Sequence, residues 1–171
     1  IDRLDFDITM AHGNSAQLHP SDGHYKLVPE ELSWNEHNDR AIAMGGHLVS
    51  ITSAEENELV ARIAGGRTVW IGGMRKGSGN GPGAEHWCWC DGQPWIYANW
   101  APGEPNNHGG NENRIQLYGQ NKLWNDVGEG WRGPAVYQLP KEESIQSVKK
   151  IQSALKKSSG KEKTNFWDSV D

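Results

Sequence analysis

The sequence predicts an α+β fold, in which two helices come first and a run of short strands with long loops follows. Three observations predict it. Two capping-box signatures, Ser33-Trp34-Asn35-Glu36 and Ser53-Ala54-Glu55-Glu56, each open a helical stretch that stops at a glycine pair. Beyond Gly66 the apolar stretches shorten to strand length and are separated by turn residues. The chain also carries 21 Gly and nine Trp at only 35% hydrophobic content, so a few large rings must fill the core between many loops.

In order, residues 1–23 form an N-terminal flank, in which "LDFDI" alternates like a short half-buried strand and "MAHGNSAQLHPSDG" is loop. "HYKLV" (24–28) opens the body as a strand that Pro29 should stop. The first helix should run from the Ser33 cap to about Met44 and end at Gly45-Gly46. "HLVSI" (47–51) is a strand. The second helix should run from the Ser53 cap to about Ala64, with Leu59, Val60 and Ile63 as its buried stripe and Gly65-Gly66 as its stop. Then come "TVWIGG" (68–73), a glycine-rich loop, "HWCWC" (86–90), "WIYANW" (95–100), a long polar loop, "RIQLY" (114–118), "LWNDV" (123–127) and "GPAVYQL" (133–139), all read as strands except the loops. The body therefore spans 24–140. In the tail, 141–171, Ile145, Val148, Ile151 or Gln152, and Leu155 recur at helical spacing, with lysines outside the stripe. A single amphipathic helix of roughly 15 residues is expected, followed by a flexible end carrying Trp167.

Charge and composition exclude several functions. The formal net charge is −5, and residues 1–140 hold 10 Lys and Arg against 17 Asp and Glu, which leaves no basic face for nucleic acid. The tail holds seven Lys against five acidic residues, and is a solvated or packing helix, or a docking segment for a protein partner. Its mixed charge and few bulky apolar residues argue against a membrane surface. No apolar run is long enough for a membrane span, and the first residues show neither the basic nor the apolar region of a signal peptide, which says little about destination because such a segment is removed on maturation. Only Cys88 and Cys90 are present, too few for a disulfide framework. Two residues apart on a strand, they share one face and read as buried thiols. His12, His19 and His24 are too irregularly spaced for a metal cluster. Trp70, Trp87, Trp89, Trp95, Trp100 and Trp124 read as core. No nucleophile elbow, phosphate loop or metalloprotease motif occurs. Glu104 and Glu112 could be imagined as a glycosidase pair, but a shared metal would keep both ionised, so no enzyme is expected.

The chemistry concentrates in "GEPNNHGGNEN" (103–113). Glu104 and Glu112 offer carboxylates, Asn106, Asn107, Asn111 and Asn113 offer amide oxygens, and "WND" follows with Asn125 and Asp126. Hard oxygen donors without a His/Cys cluster favour Ca²⁺, and the EF-hand spacing is missing. An Asn amide can give its oxygen to a cation and point its NH₂ outward, while a carboxylate can accept with its second oxygen. Such a shell suits a vicinal diol, each hydroxyl giving a lone pair to the metal, accepting from an amide and donating to a carboxylate.

These pieces, with "GGHLVSITSAEEN" (45–57), "WIGG" (70–73), the "W-C-D-G-Q-P-W-I-Y-A-N-W" stretch (89–100), "GEPNN" and "LWNDV" in order, resemble a C-type lectin-like domain over about residues 24–139. The resemblance implies two helices packed on short antiparallel sheets with a long calcium-binding loop. It implies that Glu104, Asn106, Glu112, Asn125 and Asp126 form the calcium and sugar site, that the Glu104–Pro105 peptide is cis, and that the E-P-N order goes with mannose-, glucose- or fucose-type ligands. It also implies that His108 is an accessory sugar contact. The implied partners are a glycan or glycoprotein, and the implied setting is secreted, cell-surface or periplasmic. The family's usual cysteines are replaced, near Ala41, Arg114 and Tyr137, so neither expected disulfide can form, which also leaves an intracellular location open. A second calcium site used by some members would be weak or empty here, because Asn107 and Asn113 replace acidic residues. The alternative is a C-type lectin-like scaffold serving as an interaction or structural subunit, with residues 141–171 as the docking segment.

Overall fold

A computed structural model describes residues 23–141, 146, 147 and 149–156. The flank strand expected at "LDFDI", His12, His19, Ile145, Val148 and Trp167 lie outside the described residues. The chain divides into a body, residues 1–139, and a tail unit, 140–171.

The body is a seven-stranded sheet with a helix against each face. Strand β1 (Gly23–Leu32) is followed by α1 (Trp34–Ala43), β2 (His47–Leu48), α2 (Ala54–Ala64), β3 (Thr68–Arg75), β4 (Trp87–Trp89), β5 (Arg114–Tyr118), β6 (Trp124–Val127) and β7 (Gly133–Pro140). The order across the sheet is β1-β7-β3-β5-β6, with β2 on β7 and β4 on β3. The α+β class stands, but the strands are not separate antiparallel sheets. A parallel pairing of β3 with β7, at Trp70 opposite Ala135, joins them into one.

The alternation of β3 explains why both faces are covered. Val69 and Ile71 enter one core with α2 residues Val60, Ala61 and Ala64 and with Trp87, Trp89 and Trp124. Trp70, between them, enters the other core with Trp34 and Ala41 of α1 and Tyr137. Ala41 and Tyr137, near which the resemblance implies cysteines, are fully buried in that second cluster. Arg114 lies with its guanidinium 4.5 Å from the Trp34 ring and pairs with Glu129 at 2.9 Å.

Several elements depart from the sequence reading. β1 continues through Pro29, because an end strand of the sheet tolerates a residue that lacks an N–H. The Ser33 capping box is complete, but at Ser53 only half forms. Ser53 Oγ accepts from Glu56 N–H, while the Glu56 carboxylate turns back to the Thr52 N–H and hydroxyl at 2.6 and 2.8 Å. "HLVSI" pairs only at His47–Leu48. "WIYANW" is not a strand, and only Trp100 forms a bridge, to Trp124. Its rings still reach the core, since Trp95 stacks on Trp89 at 4.7 Å and Trp100 lies 4.9 Å from Trp87. Trp95 and Trp100 are half-buried, whereas the other four tryptophans named above are fully buried. Cys88 and Cys90 are free and partly buried, and burial pushes the Cys90 thiol up to about 12.

In the tail, residues 146, 147 and 149–156 are helical and exposed. No helix among the described residues is long and apolar enough to cross a membrane.

Candidate calcium and carbohydrate site

The long loop is delivered to β6 by main-chain pairing. Trp124 N–H donates to Asn99 O at 2.8 Å and Ala101 N–H donates to Trp124 O at 2.8 Å, which fixes the chain just before Glu104. Asn57 reinforces the corner, accepting from Trp124 Nε1 at 2.7 Å and donating to Lys122 O at 3.0 Å. The Glu104–Pro105 peptide is cis, as the resemblance implied.

Asp126, on β6, is the hub. It is fully buried. Its Oδ1 accepts from Asn106 N–H at 3.0 Å, and its Oδ2 accepts from Asn107 N–H at 2.8 Å. The Arg75 guanidinium also pairs with Oδ2. Asn107 takes a left-handed conformation (φ 47°), and its side-chain oxygen accepts from Glu112 N–H at 3.1 Å, which closes the loop on itself. His108 N–H is shared between Asn106 Oδ1 and Glu112 Oε2, both at 2.7 Å. The structure therefore brings together Glu104, Asn106, Glu112 and Asp126 of the expected set. Asn125 is present through its place beside Asp126 on β6, half-buried, paired in register with Gln116. His108 contributes its main chain to this network, and its side chain is exposed in a short 3-10 turn over His108–Gly110.

The electrostatics are those of crowded anions. Burial raises the Glu104 carboxyl above the usual carboxylate range, and the neighbouring Asp126 and Glu112 push it further. Glu112 is raised by burial and by Asp126, against the His108 N–H that favours its charged form. Glu104 Oε2 is buried without a hydrogen-bond partner. A buried, partnerless carboxylate oxygen is costly, and a cation would satisfy it. Among the described residues no three His, Cys, Asp or Glu side chains form a metal cluster by themselves. Any cation here would need the Asn oxygens as well, and hard divalent ions accept such a mixed oxygen shell.

Sequence reasoning missed Arg75. It lies at the end of β3, 51 residues from Asp126 in the chain, and nothing in "TVWIGGMR" marks it. The nearest signal is Gly72-Gly73. A Cβ at Gly72 would lie 2.6 Å from Leu48 O, and one at Gly73 would lie 2.2 Å from Ile115 Cδ1. Pairing with β5 slips between Ile71 and Met74 at this point, a bulge that re-aims the strand end toward the site.

The family model described as the lectin C-type domain matches residues 30–136. The chain belongs to the C-type lectin domain family. Ladderlectin of Oncorhynchus mykiss is 34% identical over 112 residues, 62% of this chain and 56% of its own length. C-type lectin domain family 4 member K of Homo sapiens is 32% identical over 61% of this chain and 31% of its own length. The chain thus spans about half or less of these relatives. Among solved structures, the cow C-type carbohydrate-recognition domain of CD23, determined in the presence of a GlcNAc2Man3 oligosaccharide, matches with TM-score 0.60 and 29% identity over 72% of this chain and 96% of that one. A calcium-independent type II antifreeze protein matches equally well, with TM-score 0.60 and 26% identity over 75% and 98%. The same fold thus serves a carbohydrate-recognition domain and a calcium-independent antifreeze protein.

Proposed function

We propose that this C-type lectin domain is a non-enzymatic, calcium-dependent carbohydrate-binding module for mannose-, glucose- or fucose-type sugars. The observation that carries the proposal is the partnerless Glu104 oxygen beside Asp126 and Glu112, in a loop whose main chain is already tied to β6. Glu104, Asn106, Glu112, Asn125 and Asp126 would hold the ion. When bound, calcium supplies a Lewis-acidic seat for two neighbouring hydroxyls. The chain's own part is to orient them. Glu104 and Glu112 accept hydroxyl protons, and Asn106 and Asn125 donate to hydroxyl oxygens. The exposed His108 ring would bound one side of the sugar. A monosaccharide covers little area, so single-site binding should be weak, about millimolar, and useful avidity would need several copies. A glycoprotein in a secreted or cell-surface setting suits such a module. Retention on a mannose resin that is lost with chelator supports the reading, and retention indifferent to chelator refutes it.

A second reading is that the lectin scaffold serves as an interaction subunit. It is motivated by Ile151 and Leu155, four residues apart on the tail helix and 58% and 62% exposed. It requires partner binding that survives Glu104→Ala with Asn106→Ala and is lost on deleting residues 141–171.

A further inference from the structure

The Arg75 side chain is 1% exposed. Its donors fan out to three separate stretches of chain. Nε donates to Glu112 O at 2.8 Å, Nη1 donates to Gly79 O, and Nη2 donates to Asp126 Oδ2. The guanidinium lies 4.4 Å from the centre of the Trp87 ring, itself fully buried. The Arg75 main-chain N–H donates to Asn113 O at 3.0 Å. The three acceptors belong to the glycine-rich loop, the end of the long loop and β6, which are the segments whose register sets the site.

A cation buried in this way does work that an ion pair at the surface does not. Glu104, Glu112 and Asp126 crowd together, and without a positive charge they would push the loop off β6. Arg75 neutralises Asp126 from the core side, while Glu104 Oε2 remains partnerless. Only a planar fork with several donors can bind two carbonyls and a carboxylate at once, and an ammonium on the same stem cannot span them.

We infer that Arg75 is the positioning residue of this site, a built-in cation that ties Asp126, the Glu112 main chain and the glycine-rich loop together, so that the cage is assembled before any metal arrives. The inference rests on the proposed function only in naming the cage a calcium site. In the metal-free chain the loop is ordered by Arg75, and calcium enters a preformed shell.

Hydrogen exchange on the full chain tests this, with chelator and with calcium, in the wild type and in Arg75→Lys, which keeps the charge and removes the fork. In the wild type, the amides of Asn106, Asn107 and Glu112 should be slow in chelator and gain less than about threefold protection with calcium. In Arg75→Lys the same amides should lose at least about tenfold protection in chelator, while those of α2 and β5 hold. Wild-type loop amides that exchange freely until calcium is added overturn the inference, and this arm needs no variant to fold. So does a lysine variant that keeps its loop protection, or one that loses protection equally in α2 and β5. If titration calorimetry with calcium chloride shows no binding by the wild type while Arg75→Lys still frees the loop, the inference stands and the calcium reading falls.

Discussion

Glu104→Gln should move two properties in opposite directions. Glu104 is a half-buried carboxylate with one oxygen buried and unpartnered and Asp126 beside it. The amide removes one charge from that crowd and offers a donor to a neighbouring carboxylate. An unsatisfied buried acceptor costs roughly 1–3 kcal/mol. Because Glu104 is only half-buried, about 1 kcal/mol is the reasonable share. For a domain of this size that is a rise in Tm of about 3–6 °C in chelator. Calcium reverses the order. Loss of a charged ligand should weaken calcium by at least about 100-fold, the upper range for loss of a ligand's outer partner. At a calcium concentration about 100 times the wild-type Kd, the wild type gains about 2.7 kcal/mol and the variant about 0.4 kcal/mol. The variant is then the more stable protein in chelator and the less stable one in calcium. Thermal unfolding under both conditions decides the matter. A variant that is destabilised equally with and without calcium would mean that Glu104 merely braces the loop.

Three further outcomes follow from the same structure. Glu104 and Glu112 both titrate above the usual carboxylate range in the metal-free fold, so between the ordinary and the raised values the native state holds more protons than the unfolded one. The share of metal-free stability owed to these two groups should therefore rise as pH falls through that window, while calcium affinity falls. Unfolding against pH, compared with Glu104→Gln, isolates the effect. His37→Ala should cost about 3 kcal/mol in urea unfolding, since it strips partners from the Tyr137 hydroxyl at 2.7 Å and the Gly133 carbonyl at 2.8 Å and leaves a void. Gly46→Ala should cost about 2 kcal/mol by the same measure, because its Cβ would stand 2.3 Å from Gln138 O and disturb the pairing of β2 with β7.

Much of the fold was legible where local physics decides. Both helices follow from their serine caps and glycine stops, and Gly65 does take the left-handed conformation, at φ 61°. Strand β5 lies where "RIQLY" was read as a strand, Arg114–Tyr118. Legibility failed where tertiary contacts override local pattern. "WIYANW" has strand composition, yet its rings are held by Trp87, Trp89 and Trp124 while its backbone finds only one bridge. Pro29 reads as a strand stop unless the strand is known to end a sheet. In the site, the loop carboxylates and amides announce themselves by composition, and the juxtaposition of Glu104, Glu112 and Asp126 follows from the expected set. Arg75 was invisible because its role depends on a bulge at Gly72-Gly73 and on acceptors 4, 37 and 51 residues away.

Titration calorimetry with calcium chloride, in buffers of different ionisation enthalpy, shows whether Glu104, Glu112 and Asp126 take up the ion together. The wild type should bind calcium saturably, with net proton release at mildly acid pH, since the raised Glu104 and Glu112 carboxyls must ionise. Asp126→Asn should abolish that heat. Absence of calcium heat in the wild type, or undiminished binding in Asp126→Asn, would contradict the calcium reading.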